Sequence, residues 1–333
     1  MSRLFASDLF SHDKNMRTLA GQDAVEGDML KMFKFGKEQM VFDIGGVKVG
    51  GNVGENPTVM IGSIFYKGDR TVKDEADGKF DREAAESLIA KVQEMSEKTG
   101  LPAMLDVICT NPKSAESYLS FAAETTDMPL LIDAVSEDAA LRGLEVAKEL
   151  GVMERTILNS INPETRDSIY RKIEETGLES AIVLTYSTRA IISSKERIRL
   201  LDSLIPKVKE AGVKNILIDT VVVDISTLGL ACKAIIEVKD KFGYPAGCGA
   251  HNAVSSWKAL RKKQNPLLTS VCTSVVSSLP VAIGADFVLY GPIDAAEYIF
   301  PAICLIDAAY GQVLMEEGKR PSMSHPRFKI ARL

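Results

Sequence analysis

PLLIDAVSEDAALRGLEVAKELGVMERTILNSIN (129–162) holds two short apolar runs separated by a helix-length amphipathic segment. PLLIDAVS (129–136) and RTILNSIN (155–162) have the length and apolar character of buried strands. Between them a helix begins at Ser136 or Asp138 and ends near Gly151, with Ser136 available as its cap. Working outward, the same unit recurs. Strands are expected at 58–66, 102–110, 180–188, 215–224, 246–254 and 286–293. Helices are expected at 81–100, 113–125, 164–176, 194–211 and 227–240, spread over 255–282, and at 295–317. Strands that are apolar on both faces belong to a parallel sheet covered by helices. Eight such units without a long linker predict a single (β/α)8 TIM barrel over 35–333. An open doubly wound sheet is disfavoured because no GxGxxG turn follows the first strand. Residues 1–34 form an N-terminal extension in this reading, and 39–49 a hairpin turned at Gly45-Gly46.

The bulk numbers exclude several classes. The 333 residues carry a net charge of −5, so there is no basic footprint for nucleic acid. The five cysteines stand at 109, 232, 248, 272 and 304, odd in number and without a CxxC pair. They suit a reducing compartment, and with no apolar leader at the N-terminus the expected location is the cytoplasm. No membrane span is expected: the most apolar segment, from Ala295 to Met315, is interrupted by Glu297, Pro301, Asp307 and Gln312 and reads as a core helix.

In such a barrel the chemistry sits where the strands end. The polar residues there are Ser63, Asp106, Asp133, Asn159, Ser160, Asn162, Arg189, Asp219, Asp224, His251, Asn252 and Asp294. The set is rich in Asp and Asn. It contains no Cys/His group with metal spacing, no GxSxG elbow and no strand lysine for a Schiff base, so no metal site is expected. A carboxylate accepts paired N–H bonds from an amidine-like edge, and Asn offers a donor and an acceptor. Such a mouth suits a planar, multiply hydrogen-bonding heterocycle, of which the aminopyrimidinone edge of a pterin is one example.

Residues 129–164 resemble the pterin-binding half of corrinoid-dependent methyltransferases, with Asp133 and the Asn159-Ser160 pair matching. NILIDTVVVD (215–224) is similar to that family's later strand, which places Asp219, and AGCGAHNAVS (246–255) to its glycine-containing seventh strand, which places Asn252. FKFGKEQMVFDIGGVKVGGNVGENPTVMIGSIFY (33–66) looks like the start of the MtrH component of tetrahydromethanopterin S-methyltransferase. The same subfamily includes methylcorrinoid:tetrahydrofolate methyltransferases of the glycine betaine demethylation type. The resemblance implies methyl exchange between a corrinoid cobalt, carried on a separate corrinoid-binding protein, and N5 of tetrahydrofolate. The alternative is an MtrH-like component using tetrahydromethanopterin within a complex. It further implies a homodimer, a pterin ring held by Asp133, Asn159, Ser160 and Asp219, and an Asn252 that orients N5 as the catalytic group.

Plainer roles stand beside these. Asp106 fits a structural and a pterin-binding role equally. Asp224 and Asp294 suit caps or loops, Arg189 a neighbouring carboxylate, and His251 a hydrogen-bonded strand position. Arg261-Lys262-Lys263 suits a solvated helix end. Dihydropteroate synthase, another pterin barrel, needs cations on its seventh strand where this chain has GCGAHNAVSS (247–256).

Overall fold

The computed structural model describes residues 33–333, so most of the expected extension lies outside the described residues. Eight parallel strands close into a barrel: β1 (Val59–Ile64), β2 (Ala103–Cys109), β3 (Leu130–Ala134), β4 (Thr156–Ile161), β5 (Ser180–Leu184), β6 (Asn215–Asp219), β7 (Ala246–Cys248) and β8 (Phe287–Pro292). Each pairs with its sequence neighbours, and β8 pairs with β1 to complete the ring. The helices are α1 (Arg82–Thr99), α2 (Pro112–Thr125), α3 (Glu137–Glu149), α4 (Asp167–Thr176), α5 (Ser194–Glu210), α6 (Ile225–Lys241), α7 (Pro266–Ala282) and α8 (Ala296–Glu316). Two short helices, Asn252–Ser255 and Lys258–Lys262, precede α7. The chain is a TIM barrel.

Caps set the helix starts. Asp81, Asn111, Ser136, Ser193 and Asp224 each accept a first-turn N–H with their side chains. Gly100 ends α1 in the left-handed region at φ 76°, donating to Ser96 O.

Strand alternation fills the barrel in layers. Ile61, Met104, Leu131, Ile157, Ile182, Leu217 and Leu289 form one apolar interior cluster with Val59 and Phe287. The hairpin Val41–Ile44/Val47–Gly50 adds Ile44 and Val49 to that cluster, and so plugs the end at which the strands begin.

Three strands stop earlier than the apolar pattern predicts. After β6, Asp219 Oδ1 accepts the Val221 N–H at 2.7 Å and Val221 takes φ 53°, so the backbone leaves the ladder. After β7, Ala250 N–H donates to Cys248 O and Asn252 N–H to Gly249 O, which turns the chain into a helix. After β5, Tyr186 N–H folds back onto Leu184 O. Asn252 therefore opens a short helix instead of lying in a strand.

Gly62 faces outward on β1, and a Cβ there would stand 2.2 Å from Tyr290 Oη and 2.8 Å from Ile293 Cγ2. Tyr290 is wholly buried, edge-on to Phe300, and has no room to give. Gly62→Ala is expected to lower stability by about 1–3 kcal/mol, the usual cost of overpacking. Urea unfolding measures it; an unchanged midpoint would show that the Tyr290 ring can move aside.

Candidate active site

One residue pair above the apolar layer, the same alternation delivers Ser63, Asp106, Asp133, Asn159, Leu184, Asp219, Gly249 and Gly291. Five are polar, one is Leu184 and two are glycines, so a polar ring interrupted by Leu184 at β5 and open at β7 and β8 caps an apolar floor. Asp106 is 1% exposed and accepts Ser63 Oγ–H at 2.7 Å and Asn159 Nδ2–H at 3.0 Å. Asn159 spends one of its two Nδ2 N–H groups on Asp106, and its Oδ1 has no partner among the described residues. Asp133 is half-buried, and among the described residues it has no hydrogen-bond partner. Asp219 stands on the opposite wall, 6% exposed, with Oδ1 bonded to Val221 and Oδ2 without a partner among the described residues.

Burial pushes the carboxyls up. Asp106 rises to about 6 against the bonds from Ser63 and Asn159. Asp133 goes well above the usual carboxylate range, first through burial and then through the charge of Asp106. Both shifts favour the protonated carboxyl, and a protonated carboxyl is an O–H donor. Asp219 also rises to about 6 by burial, held back by the Val221 N–H and the Arg197 guanidinium. Arg197 is fully buried and donates to the carbonyls of Ala190, Ile191 and Thr220, pinning the turns that follow β5 and β6.

Asn252 sits past the end of β7, half-buried, with its amide without a partner among the described residues. Gly249 makes room for it: a Cβ at 249 would lie 3.2 Å from Asn252 Nδ2. Ser160 is half-buried beside Asn159, and both line a cleft of about 470 Å³ that opens between the β3 and β4 loops. That cleft reaches only the Asn159 side of the ring and contains neither Asp219 nor Asn252. The free polar atoms therefore locate the site better than the cleft does: the Asp133 carboxyl, Asn159 Oδ1, Asp219 Oδ2 and the Asn252 amide.

Other strand-end residues have structural work. Asn162 accepts the Glu164 N–H, and Asp224 caps α6. His251 donates from Nδ1 to Leu289 O at 3.1 Å, against Gly291, and burial lowers its pKa. Arg189 is exposed and pairs with no carboxylate among the described residues, which corrects the expectation of an acidic neighbour. Sequence reasoning missed Arg197, which has no motif of its own, and the space-making roles of Gly249 and Gly291.

The polar side chains and the glycine gap leave open space and, among the described residues, unpartnered polar atoms at the mouth of a (β/α)8 barrel. Residues 37–321 match the family model of the tetrahydromethanopterin S-methyltransferase MtrH subunit. The corresponding MtrH protein of the tetrahydromethanopterin S-methyltransferase of Methanothermobacter thermautotrophicus is 36% identical over 309 residues, spanning 90% of this chain and 100% of the relative. The equivalent component of the mtx methyltransferase of Methanosarcina barkeri is 37% identical over 307 residues, spanning 89% and 98%. Among solved structures, Yersinia pestis dihydropteroate synthase superposes with a TM-score of 0.58 over 82% of this chain and 99% of its own, at 14% identity, a likeness of fold. The chain belongs to the MtrH family and is a methyltransferase.

Proposed function

We propose that this protein binds a reduced pterin in the polar ring and exchanges a methyl group between the pterin's N5 and a corrinoid cobalt carried on a separate protein. The observation that carries the reading is the set of unpartnered polar atoms standing over an apolar floor. The Asp219 carboxylate and Asn159 Oδ1 accept the N–H groups of an aminopyrimidinone edge. A protonated Asp133 donates to a ring acceptor, Asp106 holds Asn159 in place, and Ser160 borders the rim. Asn252 reaches N5, where an amide serves the methylated and the free nitrogen alike. Bound there, the pterin supplies the nitrogen that gives or takes the methyl; the protein contributes chiefly placement.

Tetrahydromethanopterin, within an MtrH-like component of a larger assembly, is the favoured pterin, because the named relatives match over essentially their whole length. Tetrahydrofolate, in a free methylcorrinoid:tetrahydrofolate methyltransferase, is the second reading. What favours it is the stretch before residue 37, which the family model does not match. Residues 1–34 are accordingly proposed as an extension, with the barrel domain at 35–333. A cytoplasmic location and a homodimer belong to the same proposal. For the corrinoid carrier, the rim offers Val135 and Ile192, 68% and 78% exposed, with Val223, Ile225 and Trp257 also exposed on the neighbouring loops. Apolar side chains gathered round a mouth suit a docking partner.

The test titrates the purified protein with tetrahydromethanopterin and with tetrahydrofolate, then follows methyl transfer from each N5-methyl form to a reduced corrinoid by its absorption. Tight binding and transfer with the first alone supports the favoured reading, and with the second alone the other. No binding of either overturns both. Asn252→Ala is expected to lower the transfer rate about 10- to 100-fold while binding changes little, since a group acting at N5 matters chiefly in the transition state. Equal losses in both would assign Asn252 to ring binding.

Affinity should also depend on pH. Asp219 has to be ionised to accept two N–H bonds, and its carboxyl titrates at about 6. Binding is expected to be level above pH 7 and to weaken below 6, by about tenfold at pH 5. Calorimetric titration across that range checks it; a flat profile would show that neutral Asp219 suffices.

A further inference from the structure

One imidazole lies in the glycine gap at the barrel mouth. A Cβ built at Gly291 would stand 2.8 Å from Cγ and 2.9 Å from Cδ2 of His251, and one built at Gly249 would stand 3.8 Å from Cε1. Cδ2 and Cε1 are the two carbons bonded to Nε2, so the Nε2 edge of the ring is bracketed by the two glycines. The same point at Gly249 lies 3.2 Å from Asn252 Nδ2. The His251 imidazole and the Asn252 amide therefore border one space.

The tautomer of His251 is fixed by its partner. Nδ1 lies 3.1 Å from Leu289 O, and a carbonyl only accepts, so Nδ1 carries the proton. Nε2 keeps its lone pair and has no hydrogen-bond partner among the described residues. His325 is the opposite case: its Nδ1 accepts the Arg327 N–H, which places the proton of a neutral ring on Nε2. Burial lowers the His251 pKa, against the bond to Leu289, so the ring is neutral at pH 7. The titratable groups on the elements around it are engaged elsewhere. Asp219 and Cys248 lie toward Arg197. Tyr290 turns outward against Gly62, and Asp294 lies toward Tyr66 and Tyr298. On α6, Asp224 caps its own first turn, Glu237 meets Ser194 and Lys233, and Lys239 pairs with Asp286. Helix α7 contains no Asp, Glu, Lys, Arg or His.

We infer, on the proposed reading that N5 lies beside Asn252, that His251 is a second catalytic group, its Nε2 carrying the proton that N5 loses on taking the methyl and regains on giving it up. An amide orients N5 but neither takes nor gives a proton near neutral pH; an imidazole does both. In the direction from cobalt to pterin, His251 takes the N5 proton at Nε2 as the N5 lone pair bonds the methyl carbon. The carbon–cobalt bond breaks, and its electron pair stays on cobalt. In the other direction the His251 imidazolium returns the proton to N5 as the methyl departs. The bond from Nδ1 to Leu289 O persists in both states, so the ring holds its place while Nε2 gains and loses the proton.

The experiment uses the full chain, whichever of the two tetrahydropterins it binds, and free methylcobalamin as the methyl source. His251→Asn is the variant of choice, because its side-chain amide can keep a donor on Leu289 O while nothing replaces Nε2. Its thermal midpoint and pterin affinity should match the wild type. Its transfer rate at saturating pterin should fall about 100-fold, within the range of a general base. The wild-type rate should decline as pH drops below 6.5, where imidazole protonates, and the variant's should not. The pterin's own titration and that of Asp219 are common to both proteins, so the difference between the profiles reads His251. Added imidazole should restore part of the rate to His251→Ala. Nitrogen NMR of histidine-labelled protein gives a readout apart from turnover: the Nε2 resonance that is missing from His251→Asn should shift when the pterin binds. A variant with the wild-type rate and the wild-type pH profile overturns the inference. So does an Nε2 resonance that bound pterin leaves unmoved, or a rate lost only in step with stability and pterin affinity. A wild type that binds no pterin and moves no methyl overturns the proposed reaction itself, and this step with it.

Discussion

Asp219→Asn is expected to keep the fold, to hold or raise the thermal midpoint at neutral pH, and to lose pterin affinity by about 100-fold or more. The substitution leaves most of the local bonding in place. Asn retains Oδ1 for the Val221 N–H, so the turn after β6 is preserved. Arg197 keeps its three carbonyl partners. What changes is Oδ2, which becomes an N–H₂ donor facing the ligand's own donors. Exchanging a charge-assisted bond for a donor–donor contact costs about 3 kcal/mol, two powers of ten in affinity. The stability effect has the opposite sign. A carboxyl raised by burial from 3.8 to about 6 is bound by a proton more tightly when folded. Its ionisation therefore weighs against the fold above pH 6, a penalty that fades as pH falls through 6 toward the unfolded value. Removing the charge removes that penalty. A carboxylate kept for structure would lose stability on the same change, so measuring both quantities separates the roles. A destabilised variant with unaltered pterin affinity would sink the assignment.

That position shows what the sequence makes legible. Period-two alternation with an apolar layer two residues earlier is written along every barrel strand except β7, where Gly247 stands in that layer. It is enough to place Asp106, Asp133, Asn159 and Asp219 in one layer. The paired roles of Asp106 and Asp133 were not legible, because they depend on which side chains meet across β1, β2, β3 and β4. Strand ends failed where a side chain overrides an apolar pattern. Residues 220–223 are as β-prone as those before them, and only the Asp219–Val221 bond and a positive φ stop β6. Asn252 lies in a helix and not in a strand because Gly249 starts a turn that an apolar count cannot detect. Arg197 and the ion pair of Lys239 with Asp286 were invisible because their partners lie far away in the chain and are brought near only by closure of the barrel.

Lys239→Met is expected to destabilise the fold by about 3–5 kcal/mol, the cost of leaving a buried charge without its partner. Lys239 Nζ lies 2.6 and 2.7 Å from the two oxygens of Asp286, and the side chains are 1% and 7% exposed. The pair works where the barrel is thinnest. β7 has three residues, and it meets β8 through only the Gly247–Phe287 and Cys248–Val288 pairs. Asp286, just before β8, extends that seam: its Oδ2 accepts the Ala246 N–H at 2.9 Å and its own N–H donates to Ala246 O. Lys239 anchors this carboxylate to α6 and reaches toward Gly51 O at the hairpin's end. Burial raises Asp286, and the ammonium beside it holds that rise in check. Without the lysine the carboxyl should rise further and bind a proton on folding. The variant's deficit should then shrink as pH is lowered from 8 toward 5. Lys239→Met/Asp286→Asn should recover much of the loss, because a neutral amide still serves Ala246 and a buried ion pair adds little beyond its own desolvation. Urea unfolding of the three variants at two pH values tests this. If the single change costs under ~1 kcal/mol, or the double change costs the sum of its parts, the seam does not depend on this pair. Because Gly249 and Asn252 follow directly from β7, the Lys239→Met protein should also lose methyl transfer at temperatures where it remains folded, while the double variant keeps it.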